Sequence, residues 1–387
     1  MTGSSIHDDD SRNRVLSKSI WLLYVLIVLE ILFMVSPFAL YYYSAYGLPL
    51  NWLAESTEFS WLVQHILPHF TYHTNFVARV LIATSWPLML AGILMFVVGF
   101  TQIYWAKFTG KGAITVGLYK YIRHPQYLAL ALIGLGATLY WSRFLILISY
   151  IAMLFLYFWL AKLEEERCLR AYGQPYANYL KSTGRFFPRL RYAIGTGKLP
   201  ISWPSRFKMS AFFAIAAWLA ASGIAVTTGF LLKQSVVNSM LTIANDDTVL
   251  VSLAPVEDLS RYWSIAHSDA MIRATNEDQN LERTIIYLVP ASWSVPELGL
   301  SPEINLEVSN RTELLRPAVH GNSLEFDDRY MRMLFARAEV ARKGRDILFN
   351  TVAITPLFLV HLEDSVVTSI DTQPRIGPWD GIPVPIY

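Results

Sequence analysis

Charge is scarce in this chain of 387 residues: Asp, Glu, Lys and Arg together make 16%, against 53% hydrophobic residues. Soluble domains carry about a quarter of their residues as charges, so this deficit excludes an ordinary soluble protein and points to a membrane protein. A mean hydropathy of +0.34 agrees. Cysteine is nearly missing as well. Cys168 stands alone, which excludes an intramolecular disulfide framework and a cysteine-cluster metal site. Net charge is only +2, too near neutral to suggest nucleic acid as a partner. No metal site is expected. His65, His69 and His73 share a helical spacing, but Pro68 interrupts it and no acidic ligand accompanies them. His267, His320 and His361 share no spacing and read as structural.

Long apolar runs are what the chain has instead. A bilayer core needs roughly 20 apolar residues per helix. Ile20 to Tyr43, with Glu30 its only charge, and Val80 to Trp105 both meet that length. The first run is too long for a signal peptide and lacks a small-residue cleavage pattern. A charge such as Glu30 within a span is costly and defaults to a functional hypothesis. Pro125 to Tyr140 and Phe144 to Ala161 are shorter, and Trp141-Ser142-Arg143 separates them as a tight helical hairpin. Phe207 to Leu232 completes about five spans. Lys and Arg crowd the N-terminal tail, the segment 106–124 and the segment 162–208, whereas Ser44 to Ala78 holds none. The positive-inside rule then places the N-terminus and both basic segments in the cytoplasm, and everything after Lys233 on the outer side.

The chain from 245 to 387 changes character. "TVLVSLAP", "RTIIYLVPA", "INLEVSN" and "AITPLFLVHL" read as strands. Within "DDRYMRMLFARAEVARKGRDILF", Met331, Leu334, Phe335 and Ala338 recur at helical spacing and predict an amphipathic helix. The fold class expected is therefore an all-α multi-span membrane core plus a C-terminal α+β domain. Its divisions are a cytoplasmic tail over 1–19, a membrane domain over 20–232 with its core at 91–190, and an outer-side domain over 245–387. Asn310-Arg311-Thr312 fits the glycosylation pattern, which is too short to carry weight.

Two polar motifs border the hairpin. In "GLYKYIRHPQYLAL", Gly117 permits a turn, Pro125 suits the first position of a helix, and Arg123-His124 should be an extended entry to it. The free N–H groups of that first turn attract an anion. By itself an Arg-His beside a span is more often a snorkelling anchor, and Tyr119, Tyr121 and Tyr127 are ordinary interfacial tyrosines. In "AKLEEERCLRAYGQPYANYLKSTGRFFPRL", Glu164, Glu165 and Glu166 fall where the fourth span should end. Carboxylates there oppose the helix dipole and need a positive partner, Arg167, Arg170 or a cationic ligand. The hairpin returns the chain to the same membrane face, so His124 and Glu164 can meet. Such a convergence suits a small zwitterion carrying an aromatic ring.

Together the motifs resemble the isoprenylcysteine carboxyl methyltransferase family and its relatives among phospholipid methyltransferases. The carrying residues are Gly117, Tyr119, Arg123-His124-Pro125 and Tyr127, then Glu164-Glu165, Gly173, Tyr176, Tyr179 and Pro188, within roughly Ala91 to Leu190. The resemblance implies a membrane methyltransferase that uses S-adenosylmethionine at the cytoplasmic helix ends. It implies a cofactor site drawn from Gln102, Ala113, Ile114, Tyr119, His124, Pro125, Gln126, Tyr127, Glu164 and Glu165. It implies a membrane-lipid or lipophilic small-molecule acceptor. A carboxylate acceptor would need no general base, whereas an amine must lose a proton, so no catalytic base is named. Prenylcysteine-modifying members carry an arginine one helical turn before the glutamate, where this chain has Leu160, which argues against that substrate. Two other readings stand beside this one. The core could be a degenerate methyltransferase that displays the C-terminal domain to a protein partner. A related membrane reductase would need a nicotinamide cofactor, for which no glycine-rich fingerprint is present.

Overall fold

The computed structural model describes residues 58–67, 75–110, 114–189, 211–277, 283–293, 326–340 and 346–374, with isolated positions between 25 and 56 and between 295 and 301. Among the described residues four long helices precede the strands: α1 (Phe76–Phe108), α2 (Pro125–Tyr140), α3 (Phe144–Ser182) and α4 (Ala211–Ser239). By length and composition α1, α3 and α4 can cross a membrane, and α2 is a shorter apolar helix. The expected first span lies mostly outside the described residues, Glu30 among them, although positions 35–42 are helical. The described residues thus support three spans of the expected set.

Two compact units divide the chain, one formed by Met1–Tyr43, Gly92–Gly134 and Ala152–Phe207, the other by Ser44–Ala91, Leu135–Ile151 and Lys208–Tyr387. In each, α1 and α2 touch through a glycine. In the first, a Cβ on Gly92 would sit 2.7 Å from the Ala129 carbonyl oxygen; in the second, a Cβ on Gly136 would sit 2.5 Å from the Ser85 carbonyl oxygen. Lipid tails are as apolar as leucine, so helices in a bilayer gain by close backbone approach, which small residues allow.

The expected hairpin is present, with α2 ending at Tyr140 and α3 starting at Phe144. Its turn is pinned within the second unit. The Ser142 hydroxyl accepts from Leu67 N at 2.9 Å and donates to Leu67 O at 3.1 Å, and Arg143 Nη1 donates to Val63 O. The end of α4 is tied in the same unit, where Lys233 Nζ donates to Gln64 Oε1 at 2.8 Å and lies 4.9 Å from the Phe349 ring centre. The sequence placed the end of the fourth span at Ala161, but α3 continues to Ser182, broken only by Gly173 at φ 59°. Glu164 to Glu166 therefore lie inside a helix. The dipole conflict expected at its end does not arise, because the carbonyls around them are hydrogen-bonded onward.

The rest of the second unit is a six-stranded sheet in sequential order: β1 (Leu241–Ala244), β2 (Thr248–Ser252), β3 (Thr284–Pro290), β4 (Tyr330–Val340), β5 (Thr351–Glu363) and β6 (Val366–Asp371). All neighbours are antiparallel except β2 and β3. That parallel step needs a crossover, which α5 (Leu259–Ser268) and α6 (Ala270–Glu277) supply. Asp258 and Asp269 start these helices by accepting backbone N–H groups of the first turn. The short α7 (Ile347–Asn350) precedes β5.

Both faces of the sheet are covered. Val249, Val251, Ile285, Tyr287, Leu334 and Ala336 share one core with Ile66, Phe144, Val236 and Met240. Leu250, Ile286, Leu288, Met333, Phe335 and Phe358 share the other with Tyr262, Ala266 and Ile272 of α5 and α6. This explains the main error of the sequence reading. The segment expected to be an amphipathic helix around Met331 to Ala338 is strand β4, buried nearly throughout. A strand buried on both faces shows no alternation, so its apolar run matches a helical template by accident. Arg332 lies in this strand and is buried. It donates to the carbonyls of Trp293 and Ser301, each at 2.7 Å, and so holds the chain that follows β3. The strands expected in "TVLVSLAP", "RTIIYLVPA" and "AITPLFLVHL" are present. "INLEVSN", Asn310 to Thr312, His69, His73, His320 and the Pro-rich tail after 374 lie outside the described residues.

The glycine contact yields a direct test. Gly136→Leu should cost about 3 kcal/mol, the upper range for overpacking, because a backbone oxygen cannot move aside as a side chain can. Gly223→Leu on α4, where nothing lies within 4 Å of the Cβ position, should be nearly neutral. Thermal unfolding in detergent compares the two; equal midpoints would refute the close helix contact.

Candidate functional site

The extended entry to α2 is held by the chain that leaves α3. Ile122 pairs in parallel with Gly184, Arg123 N donates to Gly184 O at 2.9 Å, and His124 N donates to Arg185 O at 3.1 Å. Pro125 then begins the helix, and Leu128 N closes the first turn on His124 O. The short turn at Gly117–Lys120 precedes this entry. Gly117 there adopts φ 64°, and a Cβ would collide with the Gln102 side chain at 2.5 Å. Gln102 Oε1 accepts from Leu118 N at 3.1 Å.

These backbone pairings deliver an ionic cluster. Glu165 is buried and faces three cationic groups. Arg123 Nε reaches its Oε1 at 2.8 Å, Arg185 Nη2 its Oε2 at 2.7 Å, and His124 Nε2 lies 3.3 Å from Oε1. That last contact is one of charge, since its angle does not meet hydrogen-bond geometry. Arg123 also donates to the carbonyls of Leu180 and Thr183. His124 Nδ1 lies 3.3 Å from Glu164 Oε2, so the ring stands between two carboxylates. Glu164 accepts from the Tyr127 hydroxyl, and its side chain stays 34% exposed against 9% for Glu165. The rings of His124, Tyr127 and Tyr157 stack in sequence, with centres 5.6 and 5.0 Å apart.

Burial would by itself lower the pKa of His124, but its contacts with Glu164 and Glu165 outweigh this and raise it above the usual histidine value. Burial raises the Tyr119 hydroxyl far above its usual value, with the Glu164 charge adding to it. The Tyr119 hydroxyl therefore stays protonated and donates to Gln126 Oε1 at 2.9 Å. Tyr119 O accepts from the Tyr179 hydroxyl at 2.6 Å.

Of the residues named from the sequence, Tyr119, His124, Pro125, Gln126, Tyr127, Glu164 and Glu165 come together on the start of α2, the turn before it and the middle of α3. Gln102 braces the turn. Ile114 is half-buried near that turn in sequence, and Ala113 lies outside the described residues. Arg167 and Arg170, expected as partners of the glutamates, make no ion pair with them among the described residues. Arg123 and Arg185 do so instead, because α3 does not end at Glu166. The basic-Pro ending "GRFFPRL" carried the signal for Arg185, but its spacing alone could not say which carboxylate it meets.

The phospholipid methyltransferase family model matches residues 73–175, which contain α1, α2, the first motif and the second motif only as far as Pro175. That stretch of the chain is similar to a membrane methyltransferase family, as the motifs implied, and the similarity fits helices able to cross a membrane. Neither a curated protein nor a solved structure matched the chain.

Two outcomes follow from the cluster. Glu165→Ala should destabilise the fold by about 3–5 kcal/mol, since it leaves buried cations without their counter-charge; a denaturation midpoint like that of the wild type would refute the role. The second concerns pH. A histidine whose pKa is raised on folding stabilises fully below its unfolded value, near 6.5, and loses that contribution as pH rises through the raised value. Melting temperature should therefore fall as pH rises above about 6.5, and the slope should flatten in His124→Gln. Parallel curves for the two proteins would count against the His124 assignment.

Proposed function

We propose that this chain is an integral-membrane methyltransferase that uses S-adenosylmethionine and acts on a lipid-type acceptor at the cytoplasmic membrane boundary. The observation that carries the reading is the division of labour between adjacent carboxylates within the segment matched by the family. Glu165 is neutralised by Arg123, Arg185 and His124, whereas Glu164 remains partly exposed beside the His124–Tyr127 stack.

The donor set suits this cofactor. Glu164 offers a carboxylate to a cationic or hydroxyl-bearing group, and Tyr127 fixes its orientation. The stacked rings of His124, Tyr127 and Tyr157 are buried and hold the side chains that touch Glu164 in place. When bound, S-adenosylmethionine supplies a methyl group on a sulfonium already activated for displacement. The protein's remaining task is to align the acceptor and exclude water. In this reading Glu164 and Tyr127 bind, with Tyr119, Gln126, Pro125 and His124 forming the wall around them. Ile114 belongs to the neighbouring loop. Gln102 and Glu165 position: the first orders the turn at Gly117–Lys120, the second locks the entry to α2 against α3. The charge distribution over the loops supports a cytoplasmic site and an outer-side C-terminal domain.

Isothermal titration of the purified chain with S-adenosylmethionine tests this. Glu164→Gln keeps the side chain's size and removes the charge, so binding should weaken by at least about tenfold, with a melting temperature lowered far less than in Glu165→Ala. Wild-type affinity in both Glu164→Gln and His124→Gln would sink the site.

A further inference from the structure

A cavity of about 850 Å³ in the first unit lies beside this cluster and is not explained by it. Its walls come from the turn at Gly117–Lys120 and from the last turns of α3 with the chain beyond. Lys120 and Arg189 supply charge, and Tyr121, Tyr172, Tyr176 and Tyr179 supply rings and hydroxyls. Among the described residues, no carboxylate lines it.

The lining discriminates between ligands. S-adenosylmethionine carries a sulfonium and an ammonium against a single carboxylate, so its net charge is positive and a cavity with two cations and no carboxylate among the described residues disfavours it. A phosphate ester meets two cations and the exposed tyrosines Tyr121 and Tyr172, whose hydroxyls can donate to it. Lys120 is exposed, with its Nζ 6.0 Å from the Tyr121 ring centre. Arg189 donates to the carbonyls of Leu180 and Lys181, which anchors the guanidinium and leaves its other N–H groups to a ligand. Tyr121 and Tyr172 are 57% and 45% exposed, and such half-wet rings suit the headgroup level of a bilayer. Basic groups at that level attract anionic lipid.

We propose that this cavity binds the phosphate headgroup of a net-anionic membrane amphiphile, with Lys120 and Arg189 as its counter-charges, and discriminates against zwitterionic headgroups. The selectivity has a simple source: a zwitterion's ammonium finds no carboxylate here, whereas its phosphate gains no more than that of an anionic lipid. The cavity is linked to the carboxylate site through Tyr179, whose hydroxyl holds the Tyr119 carbonyl. Binding stands by itself; only the assignment of the bound amphiphile as methyl acceptor rests on the methyltransferase reading.

The test uses the full chain in neutral detergent. Probes are short-chain phosphatidic acid, short-chain phosphatidylcholine, inorganic phosphate and S-adenosylmethionine, each titrated by thermophoresis. Phosphatidic acid should bind about tenfold more tightly than phosphatidylcholine. Lys120→Gln and Lys120→Gln/Arg189→Gln should erase that preference, and Lys120→Arg should retain it. S-adenosylmethionine affinity should stay within about twofold in these variants. Equal affinity for the two lipids would overturn the proposal. So would full displacement of phosphatidic acid by equimolar inorganic phosphate, which would mark a free-phosphate site. Loss of cofactor binding on removing Lys120 alone would make the cavity part of the cofactor site and overturn it as well. A lipid preference that persists in a chain with no cofactor affinity would uphold this inference and defeat the methyltransferase reading.

Discussion

The buried carboxylate of Glu165 is the point on which the candidate site depends. It draws Arg123 and His124 from the entry to α2, and Arg185 from the chain after α3, onto one position in the middle of α3. A buried charge is tolerable only when paired and hydrogen-bonded. Here two guanidinium groups and an imidazole meet that need, and Arg123 Nη1 also donates to the carbonyls of Leu180 and Thr183. Everything placed on the start of α2, including Tyr127 and Gln126, inherits its position from that lock.

Backbone constraints explain why the lock can form. The residue before a proline avoids helical geometry, so the helix does not begin before Pro125, and the N–H groups of Arg123 and His124 pair with Gly184 and Arg185. The tight turn between Tyr140 and Phe144 then brings α3 back alongside α2. Gly117 and Gln102 fit together where a larger residue would not, which fixes the turn carrying Tyr119.

These parts were legible in the sequence because each rests on a strong local rule: three of the expected apolar spans, the hairpin punctuation, the His-Pro entry and the paired glutamates. The failures have physical causes too. Continuation of α3 past Ala161 was hidden because the helix changes from apolar to polar there, and hydropathy tracks the solvent rather than the backbone. Strand β4 was read as a helix because its two faces are both buried, so period two vanished from Met331 to Ala338. Helices α5 and α6 were overlooked since ten and eight residues leave little room for a periodic signal. Their capping aspartates, Asp258 and Asp269, were the available evidence.

The adjacent glutamates show what no motif can convey. Glu164 and Glu165 are next to each other in sequence, yet neighbours on a helix point about 100° apart. One therefore turns toward Arg123 and Arg185 and is buried, while the other faces Tyr127 and keeps contact with solvent. Removing the first leaves cations stranded in a low-dielectric interior; removing the second takes away a charge that the fold does not require. His124 touches both, so its protonation couples them. A pair that reads as one motif thus divides into a fastening and an available ligand, and only the direction of each side chain decides which is which.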